Sequence, residues 1–152
     1  MRTTAIFPGS FDPFTIGHDD IVRRALAIAD HLVIGVGVNE HKHYSQSTEE
    51  RVKAIADLYA DNPRVEVVAY SDLTIELARR VGAQFVVKGV RSVKDFEYER
   101  EQADINRLIS GLETIILFAQ PHLACVSSTM VRELSHFGQD TTPYLPKKNQ
   151  SK

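Results

Sequence analysis

Phe7-Pro8-Gly9-Ser10-Phe11-Asp12-Pro13-Phe14-Thr15-Ile16-Gly17-His18 decides how this chain folds. It follows the short apolar run Ala5-Ile6-Phe7 and precedes an amphipathic run from Ile21 to Ala29. A strand that turns through Pro and Gly and then opens a helix presents unpaired backbone N–H groups, a ready cradle for an anion. Gly17-His18 sets an imidazole at the mouth of that helix. The segment therefore reads as a β-turn-α unit built to hold phosphate.

Working outward, strand-length apolar runs at Thr4–Phe7, Leu32–Val38, Val65–Ala69, Gln84–Lys88 and Thr114–Phe118 alternate with helical patterns. The helical patterns cover 18–29, 48–60, 72–81, 95–109 and 128–137. Ser47 and Glu50 form a capping-box pattern, followed by Val52, Ile55, Ala56 and Tyr59 at helical spacing. Gly82 and Gly138 stand where helices should end. Strict β-α alternation predicts a single domain, residues 1–152. Its fold is α/β, a Rossmann-like, doubly wound, five-stranded parallel sheet with helices on both faces. The polar segment 147–152 reads as a frayed tail.

Composition bounds the function. With 152 residues, 43% hydrophobic and 25% charged, the chain is ordinary for a globular domain with a substantial core. A net charge of −2 disfavours an extended nucleic-acid surface but not a small anionic substrate held by a few focused cations. No apolar run is long enough to span a membrane. No leader is visible, and Cys125, the single cysteine, has no partner for a disulfide. The expectation is a cytoplasmic protein with neither membrane nor nucleic acid as partner.

In a parallel sheet, ligands bind beyond the carboxyl ends of the strands. The loops there hold His18, Lys42, Lys88, Arg91 and the hydroxyl run Ser127-Ser128-Thr129. One hydroxyl suffices to cap a helix, so three in a row leave donors for a phosphate. Gly89 between Lys88 and Arg91 suggests close approach of backbone to ligand, and Glu99 offers an acceptor for a nucleoside. His41 and His43 lack a third ligand at metal spacing. Cys125 reads as a small buried side chain rather than a nucleophile.

Taken together, Pro8-Gly9-Ser10-Phe11-Asp12-Pro13, Thr15-Ile16-Gly17-His18, Lys42, Glu49-Glu50-Arg51, Ser71-Asp72-Leu73, Phe96-Glu97-Tyr98-Glu99, Asn106-Arg107, Val126-Ser127-Ser128-Thr129 and Tyr144-Leu145-Pro146 resemble the phosphopantetheine adenylyltransferase family of HxGH-type nucleotidyltransferases. The resemblance runs over about the whole chain. It implies transfer of AMP from ATP to 4′-phosphopantetheine with Mg²⁺, giving dephospho-coenzyme A and pyrophosphate in coenzyme A synthesis. It further implies a homohexamer and feedback inhibition by coenzyme A.

Carried over by residue, the resemblance assigns ATP to Ser10, Phe11, His18, Gly89, Val90, Arg91 and Glu99, together with Leu123, Ala124, Cys125, Val126, Ser127, Ser128 and Thr129. It assigns phosphopantetheine to Ser10, Lys42, Thr74 and Lys88. Many members carry Arg where Lys88 stands; lysine keeps the charge but loses the bidentate fork. The acceptor's own phosphate is already an anion, so the chemistry needs no general base. It needs two anions aligned in line and charge stabilised, a role for His18, Lys42 and Arg91. The competing readings are a superfamily relative with another acceptor, and a nucleotide-binding module without catalysis.

Overall fold

The computed structural model describes residues 2–148. The strands are β1 (Thr4–Gly9), β2 (His31–Gly37), β3 (Val65–Tyr70), β4 (Phe85–Val90) and β5 (Glu113–Phe118). The helices are α1 (Ile16–Ala25), α2 (Thr48–Leu58), α3 (Thr74–Val81), α4 (Val93–Ser110) and α5 (Ser128–His136). All neighbouring strands pair in parallel, in the order β3-β2-β1-β4-β5. The expected doubly wound architecture is thus present.

β2 explains why the sheet is closed on both sides. Leu32, Val33, Ile34 and Val36 are each no more than 1% exposed, and only a strand covered on both faces tolerates such an unbroken apolar run. One core layer joins Leu32, Ile34 and Val36 to Ile21, Val22 and Ala25 of α1 and Ile55 of α2. The other joins Ile6, Val33 and Val86 to Ile75, Leu77 and Ala78 of α3. α4 lies beside α3 along β4 and β5. Among the described residues, no helix is long and apolar enough to cross a membrane.

The winding positions the site. From β1 the chain builds outward through β2 to β3, then α3 carries it back to lay β4 on the other side of β1. The loops leaving β1 and β4 therefore diverge, and a crevice opens between them.

Two local expectations, both about α1, are corrected. α1 starts at Ile16, two residues before the expected 18, because Thr15 is the N-cap and His18 closes its capping box. A histidine takes the place usually held by Glu or Gln, so the pattern is easily overlooked. α1 also stops at Ala25 rather than 29; Arg64 reaches in to bond the carbonyls of Ala29 and Asp30, which favours a loop there. Of the segment 147–152 read as a frayed tail, residues 149–152 lie outside the described residues, and Lys148 Nζ lies 3.4 Å from Asp61 at the surface. The Ser47–Glu50 capping box is formed as expected, and Gly82 ends α3 at φ 69°.

Gly89 serves packing. A Cβ there would sit 2.8 Å from Cγ1 of Ile21, so the absent side chain lets α1 press against β4. Its small size is required by the core layer. Gly89→Ala should destabilise the fold by roughly 1–3 kcal/mol through overpacking. An unchanged urea midpoint would show that Ile21 simply moves aside.

Candidate active site

Two cavities meet at the crevice and share the wall residues Pro8, Gly9, Lys88 and Glu99. One, about 420 Å³, runs from Ser10 and Lys42 past Thr74 toward Tyr98 and Asn106 on α4. The other, about 250 Å³, runs from His18 past Arg91 to Ser127, Ser128 and Thr129. This two-lobed shape suits two substrates that meet at one point.

The turn after β1 is set by its aromatics. Phe11 sits at φ 50°, a left-handed conformation rare for a bulky residue. Its ring is 3% exposed and packs edge-on to Phe7, Phe14 and His18, with centroids 5.2, 5.3 and 4.9 Å away. That burial offsets a backbone strain of order 1–3 kcal/mol.

His18 is fixed by its own helix. The backbone N–H of Thr15 donates to Nδ1 at 2.9 Å, so Nδ1 is the acceptor and Nε2 carries the proton of the neutral ring. Burial, then the charges of Lys88 and Arg91, lower the His18 pKa from 6.5 to about 3. His18 is thus a neutral donor at neutral pH. The unfolded chain binds more protons at this position between pH 6.5 and about 3, so stability from His18 falls as pH drops through that window. We expect the His18 ring resonances to stay constant from pH 5 to 8 in NMR, as follows from a pKa of about 3. Titration near pH 6.5, the ordinary value, would overturn the assignment.

The cations divide between the lobes. Lys42 Nζ donates to Ser10 Oγ at 3.2 Å at the mouth of the larger cavity. Lys88 Nζ lies between the lobes, 3.2 Å from Glu99 Oε2 and 3.2 Å from the Pro8 carbonyl. Glu99 thereby faces both cavities while neutralising Lys88. Arg91 is exposed at the rim of the smaller lobe, steadied by Asp95 at 3.2 Å.

The N-termini of α1 and α5 face the same lobe, and direct bonds join α5 to the β1 turn. Ser128 Oγ donates to Pro13 O at 2.7 Å, and Arg132 donates to Asp12 O at 2.7 Å. Of the three hydroxyls, the Ser128 proton is committed to Pro13 O, whereas Ser127 accepts from the Met130 N–H as the helix cap and Thr129 accepts from Arg132, so both keep an O–H to donate. What this end offers an anion is backbone N–H groups and those two hydroxyls.

Phe11, His18, Gly89, Val90, Arg91, Glu99, Leu123, Val126, Ser127, Ser128 and Thr129 line the smaller lobe. Ser10, Lys42, Thr74, Lys88 and Glu99 line the larger one. Ser10 thus falls on the larger lobe alone, and Ala124 and Cys125 lie off both walls. Cys125 is exposed, not the buried residue expected, because it sits in the loop between the Pro121–Leu123 turn and α5.

Two residues quoted for the resemblance, but given no role by it, also support the site. Asp12, 3% exposed, accepts from the backbone N–H groups of Ser45 and Gln46 at 2.8 and 3.0 Å. Arg51, 1% exposed, lies behind Ser10. Its signal was legible, since Arg51 falls four residues before Ile55, on the buried stripe of α2.

The cytidylyltransferase-like family model matches residues 6–134. The chain is 58% identical over 142 residues to a phosphopantetheine adenylyltransferase of Phocaeicola vulgatus, covering 93% of this chain and 94% of that one. It is 54% identical over 142 residues to the phosphopantetheine adenylyltransferase of Bacteroides thetaiotaomicron, with the same coverage. Among solved structures, it resembles a bifunctional NMN adenylyltransferase/ADP ribose pyrophosphatase from Francisella tularensis with a TM-score of 0.72 at 16% identity. That match covers 98% of this chain and 46% of the larger protein, a likeness of fold. With its HxGH-type turn, its two-lobed crevice and these near-full-length relatives, the chain belongs to the phosphopantetheine adenylyltransferase family of nucleotidyltransferases.

Proposed function

We propose that the chain transfers AMP from ATP to 4′-phosphopantetheine, giving dephospho-coenzyme A and pyrophosphate. The observation that carries this reading is the pair of lobes meeting at Pro8, Gly9, Lys88 and Glu99, with His18 on one side and Lys42 on the other. ATP takes the smaller lobe, and the acceptor takes the larger, its pantetheine arm running past Thr74. An acceptor phosphate oxygen attacks the α-phosphorus, the bond to the bridging oxygen breaks, and pyrophosphate leaves with the electron pair.

His18 Nε2–H donates to a non-bridging α-phosphate oxygen as its charge grows. Lys42 with Ser10 holds the acceptor phosphate, offsetting the repulsion between two anions. Arg91 and the α5 N-terminus receive the leaving pyrophosphate. Arg91→Ala should raise the KM for ATP several-fold; unchanged nucleotide kinetics would remove Arg91 from the site.

The carboxylates on the smaller lobe, Asp95 and Glu99, are committed to Arg91 and Lys88. Among the described residues no group of three or more His, Cys, Asp or Glu gathers at metal-binding distance. That donor set fits a Mg²⁺ carried mainly by ATP phosphates and water. When bound, the ion supplies charge neutralisation on the triphosphate.

Coenzyme A, which contains both an adenylyl and a pantetheine part, would occupy both lobes as a feedback inhibitor. The chain would act in the cytoplasm as a homohexamer. Val93, Phe96, Ile105, Leu108, Ile109 and Phe118 expose apolar surface on α4 and the edge strand β5, which supports association between copies. Sedimentation equilibrium checks the assembly, and added coenzyme A checks the inhibition.

The deciding experiment measures pyrophosphate release from ATP and Mg²⁺, with and without 4′-phosphopantetheine. Acceptor-dependent release with stoichiometric dephospho-coenzyme A is expected. Release with nicotinamide mononucleotide, and none with 4′-phosphopantetheine, would replace the acceptor.

A further inference from the structure

Arg51 is the largest fully buried side chain among the described residues, and what holds it is two backbone carbonyls, an aromatic ring and, from Nη2, the Thr48 hydroxyl at 3.4 Å. Its Nη1 donates to the carbonyl of Ser10, the residue just after β1, at 2.6 Å and to that of Gly37, the last residue of β2, at 3.1 Å. Its guanidinium carbon lies 3.9 Å from the centroid of the Tyr44 ring. The Tyr44 hydroxyl in turn donates to Gly37 O at 3.4 Å and accepts from the Asn39 N–H at 2.9 Å. Lys42 Nζ sits 5.5 Å from the same ring centroid and 3.2 Å from Ser10 Oγ.

This geometry has a purpose that a buried ion pair would not serve. The loop from Val38 to Ser47 is polar and exposed along most of its length, and it carries Lys42. Such a loop has little burial of its own to order it. Arg51 joins three separate pieces: the strand end that carries Ser10, the strand end from which the loop departs, and the ring beside Lys42. Asp12 fastens the far end of the loop through Ser45 and Gln46. A planar guanidinium can bond two carbonyls in its plane and stack on a ring with its face, which an ammonium cannot do.

We infer that Arg51 is a positioning residue of the transfer reaction. Lying behind the cavity wall, it holds Ser10 and the Lys42 loop in register so that both meet the acceptor phosphate. The inference rests on the proposed acceptor lobe.

The test compares wild type with Arg51→Lys, which keeps the charge and loses the fork, and with Tyr44→Leu, which removes the platform. Two readouts are taken. The first, free of any substrate, is hydrogen exchange at the amides of Asn39, Ser45 and Gln46. The second is steady-state kinetics with ATP and 4′-phosphopantetheine.

Arg51→Lys should speed exchange at Asn39 and lower kcat by about 10–100-fold, with the KM for ATP changed less than about 2-fold. Combined with Lys42→Ala, it should add little further loss, because Lys42 is what Arg51 positions. Tyr44→Leu should shift both readouts in the same direction by less. A purely structural role predicts a lower urea midpoint with unchanged kcat in the folded protein, and full additivity with Lys42→Ala. Either result overturns the inference, as does unchanged exchange in Arg51→Lys. Should Arg51→Lys not fold, Tyr44→Leu decides by the same criteria. Should wild type release no pyrophosphate with this acceptor, the proposed reaction fails, while the exchange data still report on the Arg51 clamp.

Discussion

Replacing His18 by alanine should lower kcat by at least about 10²-fold, or about 2.7 kcal/mol of transition-state stabilisation, while KM for both substrates changes little. The reason is local. The Nδ1 of His18 is occupied by the Thr15 N–H, so the proton on Nε2 is aimed into the smaller cavity by a bond made within its own helix. A neutral donor gains most when charge builds on the phosphate, which is a property of the transition state. Alanine also opens the capping box, for a stability loss of about 1 kcal/mol. His18→Gln separates the two effects, since a glutamine at this position can accept from the Thr15 N–H and still present an amide donor. It should restore the urea midpoint and part of kcat. A His18→Ala loss expressed wholly in the KM for ATP would show that the ring only binds nucleotide.

Lys42→Ala should cost about 10²–10³-fold in kcat/KM for the acceptor. Two unit charges at about 4 Å repel by about 4 kcal/mol at an effective dielectric constant of 20, so bringing a phosphate to a triphosphate requires a cation between them. Lys42 is the exposed cation of the larger lobe that reaches Ser10, at 3.2 Å. The loss should shrink at high salt, because the site is open and screened. A variant with unchanged acceptor kinetics would move the burden to Lys88 and show that its pairing with Glu99 opens on binding.

Much of the site was legible beforehand because its chemistry lies in consecutive residues. The Pro8–His18 turn and the Val126–Thr129 segment each combine a strand or loop end with a helix start, and that pattern carries its own meaning. Arg51 was harder to read because its role is non-local. It reaches 41 residues back to Ser10 and 14 back to Gly37, and nothing in its neighbours announces either bond. The packing of Gly89 and the hydrogen bond of Ser128 could not be read for the same reason. Each is set by a contact from another element, Ile21 in one case and Pro13 in the other. Cys125 was misjudged on residue type alone, since small apolar residues are usually buried while loop position governs here.

By itself, the sequence determined the alternation of five strands with five helices, the parallel sheet that this alternation implies, and the loops that line the crevice. These follow from periodicity, capping and turn residues, which are local interactions. The tertiary structure alone decided that β4 returns beside β1, that the crevice there divides into two lobes sharing Lys88 and Glu99, and that Arg51 is buried behind one of them. Strand order and buried polar clamps are set by packing between segments far apart in the chain, and no local pattern encodes which segments will meet.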